Sequence, residues 1–151
     1  MITASIKLAT RWSGHSRFGW LTTLVITFIG AVLRFANLAN PKVLVFDETY
    51  YVKDAYTLGL FGSERKWPEN ANAAFEAGDI SGFLDSAAYV VHPPFGKWVI
   101  WLGMQPFGAE SPFGWRFATA LLGTLMIPLV IVIARKLIGS NFFAAVAGLL
   151  M

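Results

Sequence analysis

Two short runs in this sequence bring together residue types that can move a proton or grip a phosphate. The first is Phe46-Asp47-Glu48. A carboxylate held at a membrane surface can act as general base toward a hydroxyl. Asp47 can equally N-cap a helix starting at Thr49, with Glu48 favourably placed in its first turn. The second run is His92-Pro93-Pro94-Phe95-Gly96-Lys97. Its prolines hold the backbone extended, Gly96 permits close packing, and the Lys97 ammonium suits a lipid phosphate. The plainer reading of that run is a turn followed by a snorkelling lysine. Arg34 and Arg116 form a further pair, expected at one depth, where two guanidiniums would suit an anionic phosphate. Their plainer reading is again snorkelling to headgroups.

These residues need elements to position them, and composition says which kind. The apolar fraction is 56 % and the charged fraction 14 %, where soluble domains carry about a quarter charged residues. All nine acids fall between Asp47 and Glu110. The net charge of +3 therefore reflects two short basic flanks and gives no reason to expect a nucleic-acid partner. The absence of cysteine excludes disulfides and thiolate metal sites, and His92 with two carboxylates makes a poor metal site.

The run from Phe18 to Ala39 reaches the roughly 20 residues needed to cross a bilayer core, and Pro41 stops it. Lys7, Arg11 and Arg17 precede it without an acid, the pattern of a cytoplasmic flank. A second run, Phe117 to Ala134, closes on Arg135 and Lys136. Pro128 within it is tolerable in a membrane helix. A third begins at Asn141 and is too short to span by Met151, so the sequence reads as a piece of a longer protein. A cleavable signal peptide over residues 1–39 is the competing reading. The apolar core is long for one, however, and a second span follows the loop.

The expected organisation is all-α and integral to the membrane. Residues 1–17 form a cytoplasmic N-terminus and 18–39 a first transmembrane helix. Residues 40–115 form an extracytoplasmic loop carrying the acidic pair, and 116–134 a second transmembrane helix. Residues 135–140 make a cytoplasmic turn and 141–151 start a third span. Within the loop, Thr49–Phe61 reads as a helix with Val52, Ala55, Tyr56 and Gly59 on one face and Lys53 with Asp54 on the other. Residues 63–87 read as a polar surface excursion. Lys97–Phe107, with two tryptophans, reads as a helix lying in the membrane interface.

Arg34 with Asn37, Leu38 and Pro41, then FDETYY (46–51), HPPFGKW (92–98) and SPFGWR (111–116), resemble the N-terminal part of the protein O-mannosyltransferases, in particular their actinobacterial branch. The resemblance covers about residues 30–137. It implies a polytopic GT-C-type glycosyltransferase of the plasma membrane. Such an enzyme moves mannose, with inversion, from a polyprenyl- or dolichyl-phosphate carrier to Ser or Thr hydroxyls of secreted proteins. The lipid-linked mannose would be a substrate, so no cofactor is implied. The family's essential acidic pair falls on Asp47 and Glu48, with Asp47 as base. Arginines near the carrier phosphate fall on Arg34 and Arg116, and His92 and Lys97 belong to the same donor-binding group. Phe95 departs from the family's usual Leu. Two other readings stay open: an arabinose or aminoarabinose transferase acting on a glycolipid, and a polytopic transporter or assembly protein using the acids as a cation or partner site.

Overall fold

The computed structural model describes residues 17–151, and the expected basic flank at Lys7 and Arg11 lies outside them. The described residues form six helices, α1 (Arg17–Phe35), α2 (Glu48–Phe61), α3 (Ala71–Glu76), α4 (Phe95–Phe107), α5 (Pro112–Ile138) and α6 (Asn141–Leu149). No β-strand is present among them, only an isolated bridge between Arg65 and Ala87. The all-α expectation stands.

Helices α1 and α5 are long and apolar enough to cross a membrane. Only 22 % and 17 % of their most apolar stretches are buried against the rest of the chain, where the core helix of a soluble protein would be largely covered. α1 is shorter than its apolar run. It stops at Phe35, and Asn37 turns the chain with a φ of 58° before Pro41. At 19 residues it is about 28 Å long, close to the hydrocarbon thickness. α5 extends beyond its apolar run at both ends. The Ser111 side chain caps its start, Pro112 occupies the first turn, and Gly139 closes it in the left-handed conformation.

α1, α5 and α6 pack together through small residues. A Cβ added at Gly30 would stand 2.2 Å from Ile127 Cδ1, and one at Gly148 2.3 Å from Ile131 Cγ1. Ile26, Ile127, Ile131 and Ala144 form the core of this bundle. At its Arg17 end, Arg135 donates to the Gly19 carbonyl and to Thr23 Oγ1, both at 2.9 Å.

The segment between α1 and α5 folds into a separate core. Leu44, Val52, Ala55, Phe75, Met104 and Trp115 are buried together, with Tyr56, Trp67 and Trp101 packed against them. Two expectations change here. Residues 63–87 are not a surface excursion, because they carry α3, the fully buried Phe75, and Ala71 and Glu64 at 6 % and 4 % exposure. Many small polar neighbours hid the i, i+4 spacing of Ala71 and Phe75. Lys53 is likewise not on a solvated face. It is buried and donates to Asn72 Oδ1. α4 packs against both α2 and α5. Trp101 occupies the space a Gly59 side chain would need, and Gly103 brings α4 onto the Gly114 carbonyl of α5.

Candidate functional site

Asp47 stands at the N-cap position of α2, with helical backbone angles and no side-chain capping bond. The helix start is held otherwise: the Asp47 carbonyl accepts from the Tyr50 and Tyr51 N–H groups at 3.0 and 2.9 Å. Its carboxylate is exposed and has no hydrogen bond or ion pair with any described residue. The preceding Phe46 adopts a φ of 49° and is 94 % exposed. A bulky residue with positive φ costs conformational energy of the kind that collects at working sites.

Glu48 has the opposite surroundings. Its two oxygens accept from Arg116 Nε at 2.6 Å and Nη2 at 2.7 Å, a bidentate fork. Oε2 also accepts from the Val45 N–H at 3.1 Å. The remaining Arg116 donors go to backbone: Nη1 to the Leu38 and Pro41 carbonyls at 3.0 and 2.9 Å, and Nη2 to Val43 at 3.2 Å. Five N–H groups meet five acceptors, and none is left for a phosphate in this arrangement. Arg116 thus fastens the chain that leads into Asp47.

Arg34 is not at the same depth. It lies beside Gly123, whose added Cβ would stand 3.2 Å from Arg34 Nε. Gly123 is seven residues down α5 from Arg116, about 10 Å by helical rise. Arg34 donates to Gly30 and Met151 carbonyls at 3.3 and 2.8 Å, and its other N–H groups bond to no described residue. The two arginines do not converge.

Lys97 is also not offered to solvent. Its side chain is 4 % exposed, with Nζ at 2.7 Å from Glu64 Oε2 and 3.0 Å from Asp54 Oδ2, and it stands over the Tyr51 ring. Burial would lower the Lys97 pKa, but its two carboxylate partners outweigh that and hold it above the usual lysine range. Burial pushes the Asp54 carboxyl up, against the pull of Lys97. Asp54 and Glu64 are the residues that sequence reasoning missed. Nothing in the spacing of positions 54, 64 and 97 announces a shared site, although an Asp inside an apolar helix was a hint. The cluster ties α2 to the start of α4, and so places His92 edge-on to Tyr51, with ring centroids 5.7 Å apart.

Two clefts meet at Asp47. One, of about 390 Å³, is mostly apolar and runs along the start of α5, lined by Phe46, Glu48, Ile100, Trp115, Arg116 and Thr119. The other, of about 980 Å³, is wider and more polar, and includes His92, Tyr50, Trp67, Asn72 and Tyr89. Asp47 and Tyr51 line both. Among the described residues no group of three or more His, Cys, Asp or Glu could hold a metal ion.

Residues 91–151 match the family model described as dolichyl-phosphate-mannose-protein mannosyltransferase. A polyprenol-phosphate-mannose–protein mannosyltransferase of Mycobacterium tuberculosis is 36 % identical over 136 residues, covering 88 % of this chain and 23 % of that protein. Its namesake in Corynebacterium glutamicum is 32 % identical over 143 residues, covering 93 % and 25 %. Protein O-mannosyltransferase 1 of Drosophila melanogaster is 30 % identical over 137 residues, covering 89 % and 14 %. The chain thus spans about a quarter of the length of the bacterial relatives it matches. No solved structure matches. With these relatives and two apolar helices of spanning length, it is a membrane protein.

Proposed function

We propose that this chain, which belongs to the protein O-mannosyltransferase family, carries the catalytic loop of an enzyme that moves mannose from a polyprenyl-phosphate carrier to Ser or Thr hydroxyls of proteins. The observation that carries the reading is the contrast at positions 47 and 48. Asp47 is exposed and unpartnered where two clefts meet, and Glu48 beside it is fully engaged by Arg116.

The apolar cleft opens along the head of a membrane helix, which suits a lipid-borne sugar phosphate. The polar cleft suits a polypeptide. Asp47 accepts the proton of the acceptor hydroxyl as its oxygen attacks the sugar C1. The C1–O bond to the carrier phosphate breaks, polyprenyl phosphate leaves, and the configuration at C1 inverts. Glu48 and Arg116 act as positioning residues that fix the Phe46–Asp47 turn. Of the residues expected to hold the carrier phosphate, Arg34 keeps N–H groups that no described residue accepts from, His92 lines the polar cleft, and Lys97 holds α4 in place. The basic flanks support a cytoplasmic N-terminus, with residues 40–115 on the far face of the plasma membrane. Spans at 18–39 and 116–134 and a third from 141 follow the same scheme. An acidic pair on that face favours a lipid-linked donor, since nucleotide sugars are not available there.

The test is Asp47→Asn in the full-length enzyme, assayed with lipid-linked mannose and a Ser/Thr peptide in membranes and normalised to inserted protein. Asn keeps the size and the helix start but cannot take the proton. Turnover should fall by about 10² to 10⁴. Retention of more than about a tenth of normal activity rules out Asp47 as base.

A further inference from the structure

The polar cleft that holds Asp47 is also lined by residues of the 87–91 segment, which the reaction as described leaves unused. Around the Arg65–Ala87 bridge, Lys66 N–H donates to the Ser86 carbonyl at 2.9 Å, Leu84 N–H to Lys66 at 2.7 Å, and Ala88 N–H to Glu64 at 2.9 Å. On the later segment each of these bonds involves an even-numbered residue, 84, 86 or 88. In a strand, the backbone N–H and C=O of successive residues point to alternate sides. Ala87, Tyr89 and Val91 therefore turn theirs away from residues 64–66, and no described backbone group bonds to them.

The chain runs from Ala88 to Val91 without turn or bend. Tyr89 and Val91 are 88 % and 63 % exposed. Ala87, Ala88, Tyr89 and Val91 all line the cleft that contains Asp47 and His92, whereas Val90 does not. Pro93, which has no N–H, ends the edge just beyond His92. An open row of N–H and C=O groups is a template for one more strand.

We propose that the acceptor polypeptide docks on this edge as an added β-strand. It lies extended along Ala87–Val91 and presents a Ser or Thr hydroxyl to Asp47. The proposal rests on the reading of Asp47 as the base for a peptide hydroxyl. The occupant follows from the chemistry of the edge. Alternating donors and acceptors at strand spacing are matched by another polypeptide backbone, and a lipid headgroup has no such repeat. Main-chain pairing also accepts many side chains, and Tyr50 and Trp67 line the same cleft. An acceptor bound this way must be locally unfolded, so the enzyme acts on extended chain rather than on folded surface.

The experiment uses the full-length enzyme in membranes and a set of single-Ser peptides, each N-methylated at one backbone amide. Methylation at alternate positions around the Ser should raise KM about three- to tenfold per lost bond, with little change at the positions between. A second readout replaces Val90, which lies outside the cleft lining, by a photoreactive phenylalanine analogue. It should capture the peptide, and capture should weaken with the same two-residue period. Uniform sensitivity, no sensitivity, or capture of a later segment of the enzyme itself would overturn the docking edge. Normal mannosylation without the period would sink the edge and keep the transferase reading. Periodic capture without any transfer from lipid-linked mannose would do the reverse.

Discussion

The helix bundle and the loop it carries are held together by different physics. In the bundle, α1, α5 and α6 approach through Gly30 and Gly148 against isoleucine side chains, and most of their apolar surface stays uncovered. In the loop, large rings are buried around Phe75 and Trp115, and charges are buried with them: Lys97 between Asp54 and Glu64, Arg116 against Glu48. Lipid gives helices no hydrophobic reason to associate, so close backbone contact takes that role in the bundle. A water-facing loop can use hydrophobic burial, and it adds ion pairs that tolerate no substitution of one partner alone.

The difference is testable at three strengths. Lys97→Gln should leave Asp54 and Glu64 without a cation and cost about 3–5 kcal/mol, read as early proteolysis of the loop in intact membranes. Arg135→Gln, at the bundle's other end, should cost far less, since it loses hydrogen bonds to Gly19 and Thr23 and no ion pair. Equal effects would erase the contrast.

Next come two glycine changes. A Gly103→Ala methyl would stand 2.4 Å from the Gly114 carbonyl oxygen, which is backbone and cannot step aside. It should cost about 1–3 kcal/mol and part α4 from α5. Gly30→Ala meets the tip of Ile127 and, at 3.0 Å, Arg34 Nη1, both ends of flexible side chains that can rotate, so its cost should be about 1 kcal/mol or less. Thermal stability of detergent-solubilised protein orders the two, and the reverse order would refute the packing described.

The smallest effect concerns pH. Lys97 has a raised pKa, so its contribution is complete below 10.5 and is lost as pH rises through the folded value. Tryptophan emission from the loop core should shift to the red above that pH. Lys97→Arg should suppress the shift, because guanidinium stays charged. A wild-type shift unaltered by Lys97→Arg would remove Lys97 as its source.

The bundle was readable from the sequence because lipid imposes one rule, a long apolar run bounded by basic residues. The runs at 18–39 and 117–134 show it directly. Only the ends moved, where Asn37 and the Ser111-Pro112 cap set the boundary instead of hydropathy. α2 was also visible through its periodicity, and α4 as an apolar stretch with two tryptophans. Asp47 was found by type and place, but the sequence offered capping and catalysis alike. The structure adds that the Asp47 side chain makes no cap bond. Lys97 reads from the sequence as exposed because it follows Pro-Pro-Phe-Gly, and the partners that bury it lie 43 and 33 residues away at Asp54 and Glu64. Arg116 shows the same limit. Its type suggested a phosphate, and only geometry shows the five acceptors it already has.

Three of those five acceptors, at Leu38, Pro41 and Val43, are main-chain carbonyls. A carbonyl is present whatever side chain its residue bears. Arg116 therefore grips the neck of the loop in a way that is blind to the identity of residues 38 and 43, and these positions can drift in type without loosening it. The tolerance runs one way. No other side chain offers five donors in a planar fork, so variation allowed at the neck is bought by rigidity at a single position on α5.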